Sequence, residues 1–245
     1  MPSVPLVLSG PRPRRDPRAL LTGLLIAQTA SLADGIAEHP WIGGRSVPAS
    51  SLGSGRDPAV DLSAVAGAVV RLDVEPPDPA PAARAYRVDT PHDHLADALA
   101  LSLPAPLIVH CAGGDVVEVA QAVDAAGHHG VVDLTGLPDD PVDGPDLDRV
   151  ADALAVAAHV TRGTHAIART ADQVVATLAG VVASLRGDDV RRALLSPDVS
   201  ALLRLHPDAV EATRSVLLGI EVPDPATVVA DLQRRVPEWA DGPLE

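Results

Sequence analysis

The chain contains no lysine and no phenylalanine, and among its 245 residues it has only one cysteine, one methionine, one tyrosine and two tryptophans. One cysteine excludes an intrachain disulfide framework and any zinc site built on several thiolates. With so few aromatic residues the core must be built from alanine, valine and leucine. Such a core buries less area per side chain, but 47% apolar residues can still supply it. All nineteen basic residues are arginine, a pattern that fits GC-rich coding better than a function, and the formal charge is −14. That balance argues against binding the phosphate backbone of a nucleic acid, which needs surplus cations. The longest apolar reach, residues 19–33, carries Thr, Gln and Ser and is shorter than a bilayer span. The apolar run near the N-terminus is too short for a signal peptide, so a cytoplasmic location without membrane attachment is expected.

What is present is an alternation of β-like runs and Ala-rich amphipathic segments. Strands are expected at "VPLVLSG" (4–10), within 64–75, at 85–90, at "LIVH" (107–110), at "GVVDL" (130–134) and at "THAIART" (164–170). Helices are expected over about 16–38, at "HLADALALSL", after Asp115, over 146–160 and over 171–185, with "WIGGRSVPASSLGSG" (41–55) as a loop. This order predicts an α/β fold with a parallel sheet, either doubly wound or closed as a TIM-type barrel, complete or with fewer than eight repeats, with ligands at the carboxyl ends of the strands. After Arg186 the pattern predicts three or four short helices and no strand, hence a barrel over 1–186 and a helical extension over 187–245.

Several short constellations bear on chemistry. Cys111 lies between a histidine and the pair Gly113–Gly114, as a thiolate over a phosphate loop would. A phosphatase loop, however, needs an arginine six residues on, where Val117 stands. Asp115 and Glu118 instead form a variant capping box, so an inert thiol is expected. In "VDTPHDH" (88–94), Asp89, His92 and His94 could join His110 around a metal. The same letters also read as a helix start, with Thr90 as N-cap. His128 and His129 suit a helix C-terminus, and His165 a solvated strand start. Arg169, at a strand's carboxyl end in an acidic chain, suits a phosphate or carbonyl ligand, or a surface carboxylate.

Taken in order, these strand ends resemble the dihydropteroate synthase family of pterin-binding barrels. "VVRLDVEPPDP" is similar to that family's Asp-Val strand end, "YRVDTPHDHLADALAL" to its Ser-Val-Asp-Thr element, and "LIVHCAGGDVVEVAQAVDAAG" to its Asn-Asp-Val-Ser-Gly-Gly segment. "GVVDLTGLP" matches either the next apolar strand or a later Leu-Asp-Pro-Gly strand, and "IARTAD" the closing Arg-x-His-Asp. The resemblance spans residues 64–185. It implies Asp89 as a pterin carboxylate with a catalytic role, and His110 in place of an asparagine. Asp133 becomes a second carboxylate under the later-strand alignment, Arg169 the anion binder and catalytic arginine, and Asp172 a further binding residue, with Ala171 where the family has histidine. Arg12, Arg14 and Arg15 would assist.

The chain departs from that pattern in "EPPDPAP", which lacks the family's glycines, in its first loop, and in the missing lysine of the family's Ser-Arg-Lys element. The standard synthase reaction of folate biosynthesis is therefore not expected to survive intact. The leading expectation is a diverged transferase-type barrel binding a pterin or similar polar heterocycle. No cofactor is expected, with magnesium entering only alongside a pyrophosphate substrate, and a homodimer is the expected assembly. A non-enzymatic subunit acting through its helical tail and a metal-dependent hydrolase are the alternatives.

Overall fold

The computed structural model describes residues 16–32, 34–35, 38–53, 65–138 and 144–240. Within them eight parallel strands close into a barrel in chain order. They are β1 (Leu25–Gln28), β2 (Ile42–Pro48), β3 (Val69–Arg71), β4 (Ala85–Pro91), β5 (Leu107–Ala112), β6 (His129–Asp133), β7 (Thr164–Ile167) and β8 (Leu217–Val222). Around them run α1 (Leu95–Leu99), α2 (Val116–Ala125), α3 (Pro145–Ala157), α4 (Ala171–Arg186), α5 (Val190–Leu195), α6 (Val199–Leu203), α7 (Pro207–Val216), α8 (Pro225–Arg235) and α9 (Pro237–Ala240). The fold is thus a complete TIM-type barrel. No described helix is long and apolar enough to cross a membrane.

Three expectations are corrected. The helix expected over 16–38 is only a 3-10 turn, Pro17–Leu20, followed by β1. Gly23 sits between them at φ +62, a left-handed conformation that stops helical propagation. The loop expected over 41–55 contains β2, whose glycines hid it. A Cβ on Gly43 would overlap the backbone carbonyl of Gly23, so this strand needs glycine where propensity disfavours it. The helical extension expected over 187–245 contains β8, which pairs with β7 on one side and β1 on the other and closes the barrel. "LLGIEV" was obscured by the helices around it. The tail's Trp239 is 1% exposed and joins the core cluster that also holds Leu20 and Leu25. The strand expected over 4–10, with Arg12, Arg14 and Arg15, lies outside the described residues.

Period-two alternation sorts each strand's side chains. Val47, Val70, Tyr86, Leu107 and Val109 face outward in one cluster, and Val132, Ala166, Ile220 and Val222 in another. Ile26, Val69, Ala85 and Ile108, joined by Val131, fill the barrel's interior. Above this apolar layer, two residues further along the strands, the interior turns polar. Helix α4 anchors the outer wall. Thr170 caps its start by accepting from the Gln173 amide (3.3 Å), Gly187 ends it at φ +72, and its middle is buried on nearly every side.

The amino-terminal end of the interior holds His165. Expected as a solvated residue, it is 4% exposed, with Gly219 beside its ring and His129 at 5.8 Å between ring centroids. His129, expected as a helix cap, instead lies in β6, with Nδ1 placed 2.8 Å from the Arg162 carbonyl. Burial, reinforced by the charges of His129, Arg84 and Arg87, pulls the pKa of His165 down from 6.5 to about 3. The unfolded chain takes up this proton as pH falls through 6.5, whereas the folded chain does not. Stability should therefore decline on acidification, by roughly 1 kcal/mol per pH unit from this residue. Between pH 6.5 and 5, before the carboxylates titrate, urea unfolding of His165→Leu should show a pH slope shallower than the parent by about one proton. An unchanged slope would contradict this account.

Candidate functional site

The carboxyl ends of the strands gather the ionisable residues, and β4 contributes most. In "AYRVDT" the alternation sends Ala85, Arg87 and Asp89 inward, while Tyr86 and Val88 pack in the outer cluster. Arg87, its side chain 9% exposed, crosses the interior. Its Nη1 donates to Glu221 Oε2 at 2.9 Å, and its Nε and Nη2 donate to Asp89 Oδ1 at 3.2 and 2.8 Å. Glu221, on β8, is 1% exposed and also accepts from Gln28 Nε2 of β1 at 3.2 Å. A carboxylate this deep is tolerable only because a guanidinium and an amide satisfy it.

Asp89 stands where this buried pair meets the solvent-filled mouth. Its Oδ1 also lies 3.0 Å from His110 Nδ1, on β5. Partial burial by itself would raise the pKa of Asp89, but the His110 hydrogen bond and the Arg87 guanidinium outweigh it and hold the group at about 2. With Nδ1 assigned as the donor to Asp89, the opposite nitrogen, Nε2, faces Asp133 Oδ2 of β6 at 3.7 Å. Asp133 is fixed in turn by accepting from the Thr135 amide at 2.7 Å. Three strands in succession thus place carboxylate, imidazole and carboxylate side by side, which equips the mouth to accept N–H protons and exchange a proton with a bound molecule.

Asp89, His110 and Asp133 are therefore brought together, whereas the other expected site residues are not part of this cluster. Arg169 follows β7 and is exposed; its backbone amide donates to Gln173 Oε1 at 2.7 Å, and its guanidinium makes no hydrogen bond or ion pair with the described residues. Asp172 pairs with Arg235 of α8 in a separate cavity lined also by Leu134, Leu137 and Leu194. His94 approaches Asp97 at 3.5 Å, and His92 lies against Gly114. Among the described residues no group of three His, Cys, Asp or Glu is placed to hold a metal. Thr90 is the penultimate residue of β4, and the 3-10 turn His92–His94 has no side-chain cap. Cys111 is half-buried, and burial raises its pKa despite the nearby Arg149, which suits an inert thiol. Asp115 caps α2 as expected, accepting from the amides of Val117 and Glu118.

Sequence reasoning missed four residues: Gln28, Arg71, Arg87 and Glu221. Arg71 is the neighbour of Arg87 in strand register and donates to the Thr29 carbonyl at 3.2 Å. Among the described residues it has no carboxylate partner, and its Nε is buried without a hydrogen bond. The spacing held the signal for two of them, since Arg71 is two residues from inward Val69 and Arg87 two from Asp89. No protein-family model, curated protein or solved structure matches this chain.

Removing Arg87 alone should strand Glu221 as an uncompensated buried charge. Arg87→Met should lower unfolding stability by about 3–5 kcal/mol, and adding Glu221→Leu should recover most of that loss. Urea denaturation of the parent, both single variants and the double variant measures it; additive losses would contradict the direct pairing.

Proposed function

We propose that the barrel binds a flat, polar heterocycle of the pterin kind at its mouth. Asp89 and Asp133 accept the ring and amino N–H groups, and His110 between them donates to or exchanges a proton with the ring. The observation that carries this reading is the row Asp89–His110–Asp133 on β4, β5 and β6, with spacings of 3.0 and 3.7 Å. A neighbouring pair of carboxylates matches the donor-rich edge of an amino-oxo-pyrimidine, whereas it repels an anion. The first two positions fall where the resemblance to dihydropteroate synthases puts the pterin contacts, and the third does so under its later-strand alignment.

For a phosphorylated form, Arg71 supplies a guanidinium that has no carboxylate partner among the described residues, and Arg169 a second from the end of β7. Magnesium accompanying a pyrophosphate would then be the substrate's own. Transfer chemistry in this site breaks the carbon–oxygen bond to the pyrophosphate, which leaves as the anion, while an incoming amine forms the new carbon–nitrogen bond and gives up its proton to His110; the missing lysine sets it apart from the standard synthase reaction. The tail through which a non-enzymatic subunit was expected to act supplies β8 and packs on the barrel.

Calorimetric titration with a dihydropterin pyrophosphate tests the proposal. Micromolar binding is expected, and Asp133→Asn should weaken it by roughly tenfold or more, the usual loss of a charge-assisted hydrogen bond. Absence of heat at millimolar ligand, with the fold intact, would overturn it.

A further inference from the structure

The barrel wall is not uniform. Strands β4 and β5 pair along their whole length, from Tyr86↔Leu107 to Pro91↔Ala112, and β6 and β7 pair from Gly130↔Thr164 to Asp133↔Ile167. Between them β5 and β6 pair only at Ile108↔His129 and Val109↔Gly130. Beyond that point the pairing stops, so His110 and Cys111 lie beside Val131 and Val132 without a hydrogen-bonded ladder.

Behind this stretch lies a cavity of about 130 Å³, open on one side, under α2 and α3. Its walls are hydrocarbon: Val116, Ala120 and Val123 from α2, and Val150, Ala153 and Ala157 from α3. The α2 positions are the stripe at i, i+4 and i+7 that a surface helix normally presses into the core. Here only Val123 of α2 is fully buried, because the facing valines and alanines are too small to close the space. The rim nearest the mouth is polar and includes His110 and Asp133, two of the residues assigned to the ligand's head, together with Arg149. Arg149 braces this rim by donating to the Gly113 carbonyl at 3.0 Å. At the opposite end Asp124 accepts from the amides of Thr161 and Arg162, both at 2.9 Å, and ties α2 to the loop before β7.

We infer that the mouth's ligand is amphiphilic, with its polar ring held by Asp89, His110 and Asp133 and a hydrocarbon limb reaching past the rim at the carboxyl ends of β5 and β6 into the cavity beneath α2 and α3. A mostly apolar chamber with a polar rim is the usual form of a small-molecule site. Its continuity with the mouth through His110 and Asp133 selects one ligand with two ends. The placement of the head rests on the pterin-type reading above; the chamber for the limb rests on the interrupted strand pairing and the lining.

Cys111 lines the chamber and is the chain's only cysteine, so a thiol reagent reports occupancy of the full-length protein at a single site. Butanol, hexanol and octanol serve as limb probes without a head. Protection of Cys111 should tighten about fourfold for each methylene added, the ratio equivalent to 0.8 kcal/mol per buried methylene. Ala153→Phe should abolish that chain-length dependence while leaving the melting temperature within a few degrees. Ala120→Leu, from the opposite helix, repeats the test if the first variant does not fold. A dihydropterin with an octyl substituent should then bind at least tenfold tighter than the unsubstituted ring in the parent, and equally in Ala153→Phe. If octanol protects no better than butanol, or protection persists unchanged in both filled variants, the inference is overturned even where the unsubstituted pterin binds. Failure of the unsubstituted pterin to bind, with the alcohol series intact, removes the pterin reading and leaves the chamber in place.

Discussion

The guanidinium of Arg87 is the constraint on which the interior depends. It spans from the buried carboxylate of Glu221 on β8 to the carboxylate of Asp89 at the mouth, and so links opposite sides of the barrel through charge-assisted hydrogen bonds. Such a bond is worth having inside a protein only when every participant is satisfied, since desolvation of each ion is costly. Gln28 completes the shell of Glu221, and His110 that of Asp89. The inner end of the network is consequently rigid, and the outer end presents charged, oriented groups to solvent. A site that must recognise a polar ring benefits from this arrangement, because its acceptors are positioned before the ligand arrives.

The layers of the barrel divide the labour. Apolar Ile26, Val69, Ala85 and Ile108 separate the polar mouth from the amino-terminal end, where His165 is kept neutral by burial. The outer wall is equally unequal. On the α4 side, alanine and valine pack densely against neighbouring helices and leave almost no exposed surface. On the α2 side the same small residues fail to fill the space where the pairing of β5 and β6 stops. A core poor in aromatics, closed by helices of fixed diameter, fills one flank and leaves a chamber in the other. One composition thus underlies both the stable wall and the proposed pocket.

The central part of the fold was legible because β4 to β7 carry compact β-branched runs separated by amphipathic helices with recognisable starts. Asp115 marks the start of α2 as capping chemistry requires. The flanks were illegible for physical reasons. Strand β1 is an apolar run inside an alanine- and leucine-rich stretch that reads equally well as helix. Strand β2 is weakened by two glycines, of which the close approach of Gly23 demands Gly43, and β8 is a lone strand among helices whose role appears only when the barrel closes. The same holds for the site. Asp89 and His110 stood out as ionisable residues at strand ends, which in a parallel barrel point to one mouth, and the family resemblance added Asp133. Arg87 and Glu221 escaped, since their pairing joins residues 134 positions apart and depends on barrel closure. Asp172 was carried over by resemblance, but its local partner, Arg235, comes from the tail.

The most direct test of this account is the carboxylate of Asp89 itself, followed by carbon-13 NMR in labelled protein and assigned by comparison with Asp89→Asn. Held by Arg87 and His110, it should remain fully charged, with an unchanged shift between pH 7 and pH 4, in keeping with a pKa of about 2. An aspartate at its ordinary pKa would be roughly 40% protonated at pH 4. A shift change of that size would show that the guanidinium does not grip the mouth carboxylate, and the organising interaction proposed for the barrel would be wrong.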